Sequence, residues 1–123
     1  LREKYSNYSN IIMLDPIYNQ KEIDVLRSNS YVYIHSHSQC GTAPSLVEAM
    51  NLDNAIISFD VATNRVTTNN KAFYFNDKKS LISIIENTSV DEIDENRKVM
   101  NEISKTLYTW NRISKLYSNL FIN

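Results

Sequence analysis

Short apolar runs alternate along this chain with polar stretches that carry helical spacing. Ile11-Ile12-Met13-Leu14, closed by Asp15-Pro16, has the make-up of a buried strand ending in a turn. Asn19, with Glu22 three positions on, marks a helix start, and Ile23 and Leu26 follow on one face. Tyr31-Val32-Tyr33-Ile34 predicts a second strand, and Pro44 to Met50 a second helix that turns Leu46, Val47 and Met50 inward. Ala55-Ile56-Ile57-Ser58-Phe59 predicts a third strand, followed by a polar loop from Asp60 to Arg65. Ala72-Phe73-Tyr74-Phe75 predicts a fourth, and Ser80 to Glu86 a helix with Leu81, Ile82, Ile84 and Ile85 packed inward.

From about Asp94 to Phe121 the apolar positions Val99, Ile103, Leu107, Trp110, Ile113, Tyr117 and Leu120 recur every three or four residues. This predicts a long amphipathic C-terminal helix with a break near Tyr108-Thr109-Trp110, whose broad apolar face calls for a partner surface. Strands alternating with helices predict an α/β fold: a Rossmann-like parallel sheet of about four strands flanked by helices. In such sheets ligands bind at the carboxyl ends of the strands, where three polar loops should gather: His35 to Thr42, Asp60 to Arg65, and Asp15 to Asn19.

Composition narrows the function classes. With 42% hydrophobic residues, 22% charged and a net charge of -1, the 123 residues read as one globular domain able to bury a core. No basic face is evident that would argue for nucleic acid. One cysteine, Cys40, leaves no internal disulfide, and nothing at the start resembles a signal peptide, so a cytoplasmic location is expected. No apolar stretch approaches the ~20 residues of a membrane span. The opening Leu1-Arg2-Glu3-Lys4-Tyr5 reads as the end of a helix, so the chain is expected to be part of something longer.

The candidate chemistry lies at one junction. Gly41, the only glycine, falls between the second strand and its helix, with Pro44 suited to that helix's first turn. Unpaired N–H groups at a helix start carry partial positive charge and can hold a phosphate or another anion. Glu48 follows one turn later, either as a ligand contact or as a carboxylate favoured by the helix dipole. His35, His37 and Cys40 have ligand chemistry at close spacing, but without a second Cys/His pair they make a poor tetrahedral zinc set, and no metal is expected. Each histidine suits either a ligand pocket or a structural hydrogen bond. Arg65 suits a phosphate, a partner carboxylate or a solvated surface position. Asp60 suits a cap or a ligand contact. Tyr108, Trp110 and Tyr117 at helical spacing favour core or interdomain packing over a carbohydrate platform.

The run Tyr33-Ile34-His35-Ser36-His37-Ser38-Gln39-Cys40-Gly41-Thr42-Ala43-Pro44-Ser45-Leu46-Val47-Glu48-Ala49-Met50, with Ala55 to Arg65 after it, resembles the donor-binding half of family 4, or group 1, glycosyltransferases of the two-domain GT-B fold. It looks closest to the bacterial rhamnosyltransferase-like branch that builds capsular and other surface polysaccharides. The resemblance runs through nearly the whole chain and implies a single partial domain over 1–123, part of a GT-B C-terminal domain. It implies a retaining, metal-independent glycosyltransferase that needs no cofactor and moves a sugar from a nucleoside diphosphate carrier to a glycan or lipid-linked acceptor.

Carried over by position, the resemblance gives Glu48 a ribose contact and sets Gly41 and Thr42 in the loop whose amides face the diphosphate and sugar. His35, His37 and Arg65, read from their own chemistry and position, are expected to join them in the donor site; no residue is a convincing general base, which agrees with a family thought to rely on substrate-assisted departure of the diphosphate. Cys40 stands where many relatives have a first glutamate, and Val66 where close relatives tend to have an acid. The acceptor domain and two further strand-helix units of such an enzyme are not in these residues. The isolated chain is therefore expected to be inactive, and its first strand to re-pair, dimerise or stay loose. The resemblance also allows peripheral association of the full enzyme with the inner face of the membrane, and a homodimer of this piece. The rival expectation is a non-catalytic α/β module that binds a partner protein through its C-terminal helix.

Overall fold

The computed structural model describes residues 2–39 and 41–121. A one-turn helix α1 (Arg2–Tyr5) and an extended stretch lead to helix α2 (Gln20–Ser28). Strand β1 (Val32–His35), helix α3 (Pro44–Asn51), strand β2 (Ala55–Phe59), helix α4 (Ala62–Thr67) and strand β3 (Phe73–Phe75) follow. Helices α5 (Lys78–Asn87), α6 (Val90–Leu107) and α7 (Trp110–Leu120) complete the order. The sheet is parallel, in the order β1-β2-β3, with His35 opposite Ser58 and Phe59 opposite Phe75.

Local chemistry explains most of the helix starts. Asn19 caps α2 by accepting the Lys21 amide at 3.0 Å. Pro44 occupies the first turn of α3, where its missing N–H costs nothing. Reciprocal capping boxes start α5, between Asp77 and Ser80, and α6, between Ser89 and Glu92. Thr109 caps α7 by accepting the Arg112 amide, so α6 and α7 meet at a break at Tyr108-Thr109.

The core lies between one face of the sheet and the pair α3 and α6. Leu46, Ala49 and Met50 of α3 meet Met100 and Ile103 of α6 over Ile56, with Tyr33, Val99, Leu107 and Tyr108 packed at its border. Asn96 of α6 is buried in this layer. Its Oδ1 accepts the Ile56 amide at 2.9 Å and its Nδ2 donates to the Lys71 carbonyl at 2.8 Å, fastening α6 to the starts of β2 and β3.

Five expectations are revised. Ile11 to Leu14 form no strand: the segment is exposed, Ile12 by 81%, because no neighbouring strand takes up its backbone groups. The sheet therefore has three strands among the described residues. The polar stretch after β2 forms α4 instead of a loop, and the last helical region begins at Val90, at its capping box. Leu81 and Ile84 are only half-buried, and Ile82 and Ile85 are exposed, because α5 covers the end of the sheet incompletely and leaves an apolar groove of about 310 Å³ beside Val32, Ile34 and Ile57. Trp110 and Tyr117 are exposed, so neither contributes to the core.

Candidate functional site

The carboxyl ends of β1 and β2 bring two of the three expected loops together. Asn64 of α4 makes the junction: its Nδ2 donates to the His37 carbonyl and to the Phe59 carbonyl, both at 3.0 Å. Asn64 is fully buried, and it ties the loop after β1 to the end of β2. Among the described residues the third loop does not join them through such a bond. Asp15 is held by Arg2 at 2.5 Å, and Asn19 is spent on capping α2.

His35 ends β1 with only 1% of its surface exposed, and its Nε2 has no hydrogen-bond partner among the described residues. Its ring meets that of His37 edge-on, with centroids 4.9 Å apart, and lies roughly parallel to Tyr33 at 6.1 Å. Burial, and secondarily the neighbouring His37, lower the His35 pKa from its ordinary value, which favours the neutral ring. His37 is exposed on the same loop. Of the two, only His37 is placed to meet a ligand without rearrangement.

Beyond this pair the loop reaches Gly41 and Thr42, both exposed, and then the start of α3. Among the described residues neither of their amides donates a hydrogen bond. Gly41 does not take a positive φ, and a Cβ built on it would meet nothing within 4 Å. The junction therefore needs no glycine for its own conformation or packing, and Gly41 borders open space. Cys40, the third member of the weighed zinc set, lies outside the described residues. Among the described residues no group of three His, Cys, Asp or Glu side chains could hold a metal ion.

Glu48 sits in the second turn of α3, half-exposed at 45%, where it accepts a hydrogen bond from Arg27 Nη1. Arg27, only 19% exposed, reaches it from the last turn of α2. The ion pair fixes the carboxylate and leaves part of it open to solvent. A groove of about 440 Å³ runs past Glu48, Asn51, Lys105, Tyr108 and Trp110. Arg27 was missed by the sequence reading: an arginine in the last turn of a helix reads as a favourable dipole contact, and nothing local announces a partner 21 positions away.

Arg65 is engaged within the chain. Its Nε and Nη2 donate to the two oxygens of Asp60 at 2.5 and 2.8 Å, and its guanidinium lies 4.1 Å from the Tyr74 ring centroid. The hydrogen bond from Arg65 lowers the Asp60 pKa, against a smaller opposing effect of burial. Arg65 thus serves as a clamp between β2, α4 and β3, with its planar face and its fork both engaged. Asp60 accordingly pairs with Arg65 and does not cap α4, whose cap position is Val61.

No family model, no curated protein and no solved structure matches the chain. Among the described residues no helix is long and apolar enough to cross a membrane.

Proposed function

We propose that this chain is the donor-binding half of a glycosyltransferase of the GT-B kind, which takes a nucleoside diphosphate sugar and passes the sugar to a glycan or lipid-linked acceptor with retention. The observation that carries this reading is the arrangement at the α3 start. Two exposed residues, Gly41 and Thr42, whose amides donate no hydrogen bond among the described residues, stand at the carboxyl edge of a parallel sheet with open space over Gly41, and a fixed, half-open carboxylate follows one turn later. Amides and helix dipole suit a diphosphate, and a carboxylate suits the paired hydroxyls of a ribose.

In this reading Glu48 grips the ribose and Arg27 holds it in position. Gly41 and Thr42 stabilise the diphosphate as the sugar leaves. His37 lines the exposed wall of the site, with buried His35 setting its ring, while Arg65 supports the loop through Asp60 and Asn64 through the His37 carbonyl. The role of Arg65 is thus shifted from donor contact to support.

The test is an amide-resolved NMR titration of the chain with UDP, GDP and dTDP. Shifts confined to the loop around Gly41 and Thr42, and abolished by Glu48→Ala, are expected for at least one of them. Absence of any response, or shifts that Glu48→Ala leaves intact, would refute the assignment.

The second reading, an α/β module that docks on a partner through its C-terminal helix, is favoured by one observation: no residue of α7 is buried. A chain that ignored all three nucleotides but bound a protein through α7 would fit this reading and not the first.

A further inference from the structure

We propose that the groove between α3 and the break joining α6 to α7 is the base subsite of the nucleotide, and that it takes a base with a carbonyl oxygen on its outer edge (uracil, thymine or guanine) stacked on Trp110. The inference rests on the donor-site reading, which sets the ribose at Glu48, and extends it to the part of the ligand which that reading leaves unplaced. The groove, of about 440 Å³, includes Glu48 itself: α3 supplies Val47, Glu48 and Asn51, α6 supplies Lys105, and Tyr108 and Trp110 line it at the break. α6 runs back along α3. Asn101 donates to the Asn51 carbonyl at 3.2 Å, and one turn later Lys105 shares the groove with Glu48. Trp110 therefore lies toward the start of α3, the end that Gly41 and Thr42 lead into.

The lining decides the occupant. Trp110 is 85% exposed, so its indole offers an uncovered face to a flat aromatic ring. Tyr108 donates its hydroxyl to the Thr67 carbonyl at 2.9 Å, which pins its half-buried ring at the break, and Thr109 caps α7 and so fixes where Trp110 leaves the backbone. Glu48, held by Arg27, is placed to accept ribose hydroxyls, and the base is the group joined directly to the ribose. The transferred sugar hangs from the far end of the diphosphate. Lys105 is exposed and forms no ion pair among the described residues, so its ammonium, a donor with no acceptor, is free to meet a carbonyl oxygen. Uracil, thymine and guanine carry such an oxygen on the outer edge, where cytosine and adenine carry an amino group that only donates.

The two halves of the ligand are tested apart, with uridine and inorganic pyrophosphate, and together, with UDP, CDP, GDP and ADP. Trp110 is the only tryptophan of the chain, so quenching of its emission, excited at the red edge where nucleotides do not absorb, reports stacking. The amides of Gly41 and Thr42 report the diphosphate. UDP is expected to move both signals along one saturation curve and to bind about tenfold tighter than CDP, as GDP should relative to ADP. Trp110→Ala should weaken UDP by about tenfold or more, read from the amides, and leave pyrophosphate binding unchanged, and Lys105→Met should bring UDP and CDP level. Both side chains are exposed, so far-ultraviolet circular dichroism of the variants should match that of the parent. Quenching by uridine while the amides stay silent to every compound would keep the base subsite and remove the diphosphate assignment. Amide shifts with full UDP affinity in Trp110→Ala would keep the diphosphate assignment and overturn this proposal. It is also overturned by equal binding of UDP and CDP, by quenching that appears only when a sugar is attached to UDP, or by no response to any of these compounds.

Discussion

Arg27 reaches from the last turn of α2 to the carboxylate of Glu48 in the second turn of α3, and it is the more deeply buried partner of the two. The asymmetry matters because removing either partner has a different consequence. Without Glu48, a largely buried guanidinium loses its acceptor. Without Arg27, a half-exposed carboxylate turns to water.

Glu48→Ala should therefore destabilise the chain by about 1–2 kcal/mol, and Glu48→Gln by less, since the amide oxygen still accepts from Arg27. Urea unfolding followed by circular dichroism measures both. Equal stability of Glu48→Ala and the parent would show that the pair holds nothing in place. Arg27→Gln separates orientation from charge: nucleotide affinity should drop with the carboxylate intact, if Glu48 must be held to meet a ribose.

His35 supplies a pH dependence with a definite sign. Its folded pKa lies below its ordinary value, so between the two the unfolded chain binds more protons than the folded one, and stability rises with pH across that window. The contribution is full above the ordinary histidine pKa and is lost as pH falls toward the folded value. Thermal unfolding should become easier across mildly acidic pH, and His35→Phe should flatten that part of the profile. Proton NMR titration of the two imidazoles checks the cause: if His35 takes up its proton at or above the ordinary pKa, the account fails.

Much of the sheet and the start of α3 were legible in the sequence because they rest on local patterns. Ala55 to Phe59 is an unbroken apolar run, and Pro44 with Leu46 and Met50 states both the start of α3 and its inward face. Asn19, read as a cap, is one. What stayed hidden depends on partners far along the chain. The run Ile11 to Leu14 has strand composition, but a strand needs a neighbour, and composition cannot supply one. The short polar segment that became α4 gives no apolar periodicity to read. At the site, Gly41, Thr42 and Glu48 came from a contiguous run, whereas Arg27, Asn64 and the engagement of Arg65 by Asp60 and Tyr74 required the fold.

Asn96 shows what such a long-range partner contributes. It satisfies the Ile56 amide and the Lys71 carbonyl from within the core, so Asn96→Leu would leave two backbone groups at the sheet without their partner. The expected cost is about 2–4 kcal/mol despite the gain in apolar volume, because an unsatisfied buried polar group outweighs the added side chain. Denaturant unfolding gives the number, and a neutral result would mean that water or a neighbouring group takes over both bonds. Hydrogen exchange localises it: the Ile56 amide should lose protection ahead of the rest of β2.

Gly41 is the position where stability and binding should part company. A residue with a Cβ meets no protein atom there and no left-handed backbone, so Gly41→Ala should leave the unfolding midpoint unchanged or raise it slightly through the stiffer unfolded chain. The space that the methyl group enters is the space assigned to the diphosphate, and close approach of a ligand to a backbone amide is what a Cβ obstructs. Nucleotide affinity should fall by about tenfold or more, the size of one lost charge-assisted hydrogen bond. Gly41→Ala thus provides a folded protein in which only the site is altered. If calorimetry found the variant binding UDP, GDP or dTDP as tightly as the parent, with its melting curve intact, the diphosphate would have to sit elsewhere than over the start of α3.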